Sequence, residues 1–225
     1  MSSQAHFTLF GIPIRVEPVF LVIAVLFGLQ YAELDTSLVI AWVVASFVSI
    51  LVHELGHGLV LRAFGQRSSI VLHAFGGVTM HRGRLPKAQS VAVSLAGSLT
   101  CLALLWWPAR SLVGSEWFFD QGVFVRGLVL FTAFANLWWS VANLLPIRPL
   151  DGGNVVTELF GIDAARKASI VAAVAGAVWA FTHDQRFAAF FALYLAYNNY
   201  LELKAAKDGR IVPNVFDVDG PAPPR

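Results

Sequence analysis

Charge is scarce in this 225-residue chain: 13% of its residues are Asp, Glu, Lys or Arg, while 57% are hydrophobic. A soluble domain carries roughly 25% charged residues. The composition therefore excludes a globule coated for water, and a single polytopic membrane domain is the implied class. The one cysteine, Cys101, excludes an intramolecular disulfide, and its apolar surroundings read as a small buried or lipid-facing position. A net charge of +2 without any basic run argues against nucleic acid as a partner. The N-terminus lacks a basic stretch followed by a short apolar core and a small-residue cleavage site. No cleavable signal is expected, so the first hydrophobic segment should stay in the membrane.

What the chain has in abundance is apolar length. A helix needs ~20 apolar residues to cross ~30 Å of hydrocarbon. Stretches at about 18–31, 37–63, 88–107, 123–145, 168–181 and 187–203 are candidates, the first short unless residues 32–34 extend it. Thr182-His183-Asp184-Gln185-Arg186 reads as a polar turn between the last two. With six spans and the N-terminus inside, the inner side receives Arg15, Arg62, Arg67, Arg82, Arg84, Lys87, Arg148, Arg166, Lys167, Lys204, Lys207, Arg210 and Arg225. Only Arg110, Arg126 and Arg186 of the 16 basic residues fall outside. This positive-inside bias predicts an all-α protein of about six transmembrane helices with both termini cytoplasmic, in the plasma (inner) membrane of a bacterial cell. Trp106, Trp107 and Trp117 suit an outer interfacial belt.

Two segments are too short and too alternating to span. Residues 7–16 read as a strand or an interfacial segment. Residues 68–84 hold two β-prone runs, Ile70-Val71-Leu72 and Val78-Thr79-Met80, around Gly76-Gly77, which predicts a small membrane-associated hairpin turning at the glycines. Residues 1–210 are expected to form one domain, and the Pro-rich residues 211–225 a disordered tail.

The second apolar stretch carries His53-Glu54-Leu55-Gly56-His57, an H-E-x-x-H pattern. On a helix, positions four apart share a face, so both imidazoles can address one ion. Zinc takes neutral imidazole and leaves room for a third protein ligand and a water. Glu54 is placed to accept a proton from that water and return it to a leaving amine. An acid at the centre of a membrane helix costs ~2.5–3.5 kcal/mol, so such a cluster signals function. Gly56 and Gly58 bare the helix surface for another helix. The candidate third ligand is Asp151 in Asn143-Leu-Leu-Pro146-Ile-Arg-Pro149-Leu-Asp151-Gly-Gly153. Pro146 and Pro149 should end the fourth helix near Leu145, and Gly152-Gly153 permits a bend after the carboxylate. On the predicted topology this stretch lies on the cytoplasmic side, as do the histidines. Glu158 and Asp163 are competing acids that read as surface charges, and Arg148 reads as a loop cation facing lipid headgroups.

HELGH in a membrane segment, then AFGG, then NLLPIRPLDGG, resembles the site-2 protease family of intramembrane zinc metalloproteases, over about residues 18–153. It is most similar to the compact bacterial branch that includes the sporulation-type enzymes, without PDZ or CBS domains. The resemblance implies zinc held by His53, His57 and Asp151, with Glu54 as catalytic base. It also implies a role for Asn143, which could hold the substrate backbone or stabilise the oxyanion; a helix C-terminal cap is the alternative. It implies that the Gly76-Gly77 hairpin offers a strand edge to an unwound substrate. One departure is Ala96-Gly97-Ser98, where relatives commonly have Ala-Gly-Pro, which puts a bend of the third helix in question.

The expected function is hydrolysis of peptide bonds within or next to the transmembrane segment of a single-span membrane protein. A metal-binding transporter or sensor is the alternative, and Glu54 argues against it because transport has no use for a non-ligand base. A prenyl-protein-processing zinc protease would want a glutamate on a downstream helix as third ligand. His6, His73, His81 and His183 are not placed to join the motif, although His73 and His81 flank the predicted hairpin.

Overall fold

The longest apolar run forms the longest helix, α2 (Thr36–Ala63), which starts where Asp35 accepts a hydrogen bond from the Ser37 amide at 2.7 Å. A computed structural model describes residues 6–74 and 76–208 of the chain. The chain divides into two units, Met1–Ala142 and Asn143–Arg225.

In the first unit, strands β1 (Phe7–Leu9) and β2 (Ile12–Val16) precede helix α1 (Pro18–Gly28) and α2. Strands β3 (Ser68–His73) and β4 (Gly76–His81) follow. The sheet order is β1-β2-β3-β4; β2 and β3 run parallel, with Ile14 opposite Ile70 and Val16 opposite Leu72. Parallel pairing follows from the helical crossover through α1 and α2, since two parallel strands cannot be joined by a tight turn. The predicted hairpin is thus half of a four-stranded sheet that also recruits residues 7–16. Its buried face, Ile12, Ile14, Ile70 and Leu72, packs on Phe20, Leu51 and Leu55, which fastens the sheet to α1 and α2. Gly76 and Gly77 are not the turn. They open β4, paired with His73 and Leu72.

Helix α3 is continuous over Lys87–Leu112, with a π-helical turn at Leu102–Trp106. Pro108 follows that turn; lacking an N–H and crowding the preceding carbonyls, it breaks the regular ladder. Ala96-Gly97-Ser98 lie within the regular α-helical part, Lys87–Cys101. Helix α4 (Val123–Asn143) completes the unit's bundle. Ser49 of α2, Ser98 and Cys101 of α3, and Asn136 and Ser140 of α4 form a buried polar seam, with Asn136 donating to Ser49 Oγ at 2.8 Å and Cys101 to the Ser49 carbonyl at 3.4 Å.

In the second unit, a loop leads to helices α5 (Asp151–Phe160), α6 (Ile162–Thr182) and α7 (Arg186–Lys207). Gly152 and Gly153 form the first turn of α5 and not a bend. A Cβ on Gly152 would collide with the carbonyls of Leu144 and Leu145, and one on Gly153 with the backbone of Ile147 and Arg148. The glycines let the incoming loop lie against the helix start.

Among the described residues four helices, α2, α3, α4 and α6, are long and apolar enough to cross a membrane, against six expected. Helix α1 with its 3-10 extension, Pro18–Tyr31, is short, and α7 carries Asn198, Asn199, Glu202 and Lys204. Exposed Val171, Phe181 and Phe190, each at least 70% accessible, fit lipid contact. The predicted disordered tail, residues 211–225, lies outside the described residues.

Candidate metal centre

Helix α2 places His53 and His57 one turn apart, 3% and 7% exposed, with Glu54 between them at 5%. The His53 and His57 Nε2 atoms face each other at 3.1 Å. Two nitrogens bound to one tetrahedral ion at ~2.0–2.1 Å stand about 3.3 Å apart, so this pair fits a shared zinc. His57 Nδ1 lies 2.7 Å from the Val93 carbonyl of α3. A carbonyl can only accept, so Nδ1 carries the proton and the Nε2 lone pair is left for a metal, the usual arrangement around a ligating imidazole.

Backbone comes close to these side chains. Gly97 of α3 lies so close that a Cβ there would overlap His57 Nε2 and stand 2.8 Å from His53 Nε2. Gly56 on α2 in turn meets the Gly97 Cα, so the two helices touch through glycines, as its bare surface predicted. Gly58 makes room for Ile12 of β2 rather than for a helix. On the other flank, a Cβ on Gly77 would collide with the Glu54 side chain. Thr79, two residues along β4, has its hydroxyl 2.7 Å from Glu54 Oε2 and 3.1 Å from the Glu54 carbonyl. Glu54 is thereby wedged between its own helix and an edge strand. A carboxylate fixed one residue from His53 can accept a proton from a water beside the imidazole pair.

Asp151 is the first residue of α5 in the second unit; the preceding Leu150 gives the helix no side-chain cap. Asn143 is the last residue of α4, and half-buried. Among the competing acids, Glu158 lies mid-helix and half-buried, and Asp163 pairs with Arg166 at 3.2 Å. Arg148 is not a free surface cation: its side chain is 17% exposed and ion-paired with Glu202 at 3.4 Å. His6 accepts from the Val16 amide and His183 stacks on Trp179, both local structural roles. His73 and His81 end β3 and β4. Cys101 is buried, as one of its two predicted settings had it.

The sequence reading missed Val93, Gly97 and Thr79. Val93 acts through its carbonyl, which any residue carries, so no side-chain pattern marks it. Gly97 was visible only as part of Ala96-Gly97-Ser98, read for a bend of the helix, and Thr79 only as a β-former in a strand.

No protein-family model matches the chain. It is 29% identical over 155 residues to zinc metalloprotease MJ0392 of Methanocaldococcus jannaschii, covering 68% of this chain and 44% of that protein. It is 36% identical over 117 residues to stage IV sporulation protein FB of Bacillus subtilis, covering 49% and 37%. The chain thus spans less than half the length of these relatives. The solved site-2 protease of M. jannaschii superposes with a TM-score of 0.57 at 22% identity, over 92% of this chain and 94% of that one. Around a buried H-E-x-x-H helix flanked by a sheet, the chain is thus similar in sequence to a zinc metalloprotease and a sporulation protein, and it shares the fold of a solved site-2 protease.

Proposed function

We propose that the chain is an intramembrane zinc metalloprotease that cleaves peptide bonds within or next to the transmembrane segment of a single-span membrane protein. The observation that carries this reading is the facing Nε2 pair of His53 and His57 with the proton of His57 held on Nδ1, beside a clamped, buried Glu54. His53, His57 and Asp151 are the three protein ligands. When bound there, zinc polarises a carbonyl and brings the pKa of a water to about 7.

Glu54 accepts the proton of the attacking water and delivers it to the leaving amine. Asn143, at the end of α4, donates from its side-chain amide to the substrate backbone or to the developing oxyanion. A peptide bond in a membrane helix is shielded until the helix unwinds, and an unwound segment in lipid needs partners for its amides. Strand β4 pairs only with β3 among the described residues, so its outer edge is the place for such a segment. The two units work as one catalytic domain over residues 1–210. The count of thirteen inner basic residues supports six spans, with α1 and α7 crossing too, and both termini cytoplasmic in a bacterial plasma membrane.

The test is Glu54→Gln, purified in detergent and assayed against a transmembrane-anchored reporter. It should bind zinc as the wild type does and lose 10²–10⁴-fold in cleavage. Wild-type cleavage in this variant would overturn the mechanism, and a transporter or sensor would tolerate the change.

A further inference from the structure

The residues leading to Asp151 are held by a polar clamp from the last two helices. The Arg148 amide donates to Ser169 Oγ at 2.8 Å, and the Arg148 carbonyl accepts from Asn199 Nδ2 at 2.8 Å. Ser169 is fully buried on α6, and Asn199 is 3% exposed on α7. The Arg148 guanidinium meets Glu202 at 3.4 Å, and Glu202 also meets Arg166 at 3.3 Å. Arg166 and Ser169 are three apart on α6, Asn199 and Glu202 three apart on α7. Each helix thus turns one face of paired polar groups toward a single loop residue. Ile147 is buried next to them against Ala173, Leu195 and Ala196.

These groups are costly where they stand. A buried amide and a charged triad in a helix pair bordered by lipid lower stability unless their partners are met. Helix–helix packing does not require them, since α6 and α7 already bury Ala173, Leu195 and Ala196. What the clamp does is fix both peptide groups of a residue three positions before Asp151, with the rigid ring of Pro149 and the close-packed Gly152 and Gly153 in the same stretch.

We infer that Ser169 and Asn199, supported by the Arg148–Glu202–Arg166 group, are positioning residues for the third metal ligand. They hold the loop so that the Asp151 carboxylate is delivered in one place, which makes the last two helices part of the metal centre's outer support. This rests on Asp151 being a zinc ligand. Removing an outer partner of a metal ligand typically costs 10–100-fold in metal affinity.

Asn199→Asp keeps the side chain's size but turns its amide donor toward Arg148 into an acceptor; Ser169→Ala removes the acceptor with little change in volume. Zinc affinity of each full-length, detergent-purified variant is measured by competition with a chromogenic chelator. The visible spectrum of the cobalt-substituted protein reports ligand geometry, and melting curves report folding. The expected result is a fall in zinc affinity of about 10-fold or more with an altered cobalt spectrum in protein that still melts cooperatively, and wild-type behaviour in Ser169→Thr, which restores the hydroxyl. Asp151→Ala is the reference. If Asp151→Ala weakens zinc while a folded Ser169→Ala binds it with wild-type affinity and spectrum, the clamp has no positioning role and the ligand assignment stands. If Asp151→Ala itself binds zinc normally, the ligand assignment fails, and the inference with it. Should Asn199→Asp not fold, Ser169→Ala decides alone.

Discussion

In the first unit, His53 and His57 sit in mid-helix with backbone close against them: the Val93 carbonyl on one ring and Gly97 against both. In the second unit, Asp151 begins a helix after a Pro-containing loop, and what fixes that loop is side chains, Ser169, Asn199 and Glu202. The difference follows from the elements that carry these residues. A long helix satisfies its own amides, so a neighbour need only come close, and glycines permit that. A loop leaves peptide groups unmet, and in an apolar setting they must be supplied from elsewhere. The helical pair thus leans more on close backbone and the loop more on side-chain hydrogen bonds, and the two should break differently.

The largest expected effect beyond loss of the base comes from filling the space. Gly97→Ala adds a Cβ that overlaps His57 Nε2 and crowds His53 Nε2, so one ring must move off the shared position. Zinc affinity should fall at least as far as on removal of an outer partner, about 10–100-fold, read by chelator competition. Gly97→Ala with full affinity would show that the α2–α3 contact gives way freely, and that the histidines are not held by close packing. A substitution of Gly176, whose Cβ would meet nothing within 4 Å, is the control, and it should leave zinc binding unchanged.

This contrast also explains what could be read from the sequence. His53, Glu54 and His57 were legible because helical spacing alone puts 53 and 57 on one face, whatever surrounds them. The strand runs at 70–72 and 78–80 were legible from β-branched residues, but their turn was misplaced. Gly76-Gly77 has the composition of a turn, yet Gly77 serves here to admit Glu54 beside the strand. Gly152-Gly153 was misread for the same reason: these glycines answer a close approach of other backbone, which depends on the fold and leaves no local signature. The parallel pairing of residues 12–16 with 68–73 joins strands more than fifty residues apart, beyond any local pattern. Arg148 looked like a surface cation because its partner Glu202 is fifty-four positions away.

A middle-sized effect tests whether Glu54 is held by space alone or also by a bond. Thr79→Val keeps the side chain's shape and removes the hydroxyl that reaches Glu54 Oε2 at 2.7 Å. A hydrogen bond to a charged group is worth ~1.5–3 kcal/mol, and a misaligned base loses rate rather than metal. Cleavage kcat should fall by about tenfold, the RT equivalent of the lower figure. KM and zinc content should hold, and Thr79→Ser should recover most of the rate. Unchanged kcat in Thr79→Val would mean that Gly77 and the helix alone set the carboxylate, making the base's seat one of space only.

The smallest effect concerns how the two helices that carry His53, His57 and Asp151 begin. Helix α2 starts with an acid in the cap position: Asp35 accepts from the Ser37 amide at 2.7 Å, and those hydrogen bonds hold its carboxyl below the ordinary carboxylate range. Helix α5 starts with Leu150, which offers no side-chain cap. A group whose pKa is depressed by folding stabilises the fold above its unfolded value, near ~3.9, and loses that contribution as pH falls through the folded value. Only the first helix should therefore carry an acid-sensitive cap. Asparagine caps about as well as aspartate but does not titrate, so Asp35→Asn should melt like the wild type at pH 6. Below pH ~4 the wild type should lose the advantage of its ionised cap, and the variant should show a shallower acid limb. The site is half-buried at the end of the helix, which keeps the difference small and best seen at low salt. Superimposable melting temperatures for the two proteins from pH 6 down to pH 3 would remove the cap from the account of how α2 is fixed, leaving its position to the glycine contact with α3 and the sheet packed on Leu51 and Leu55.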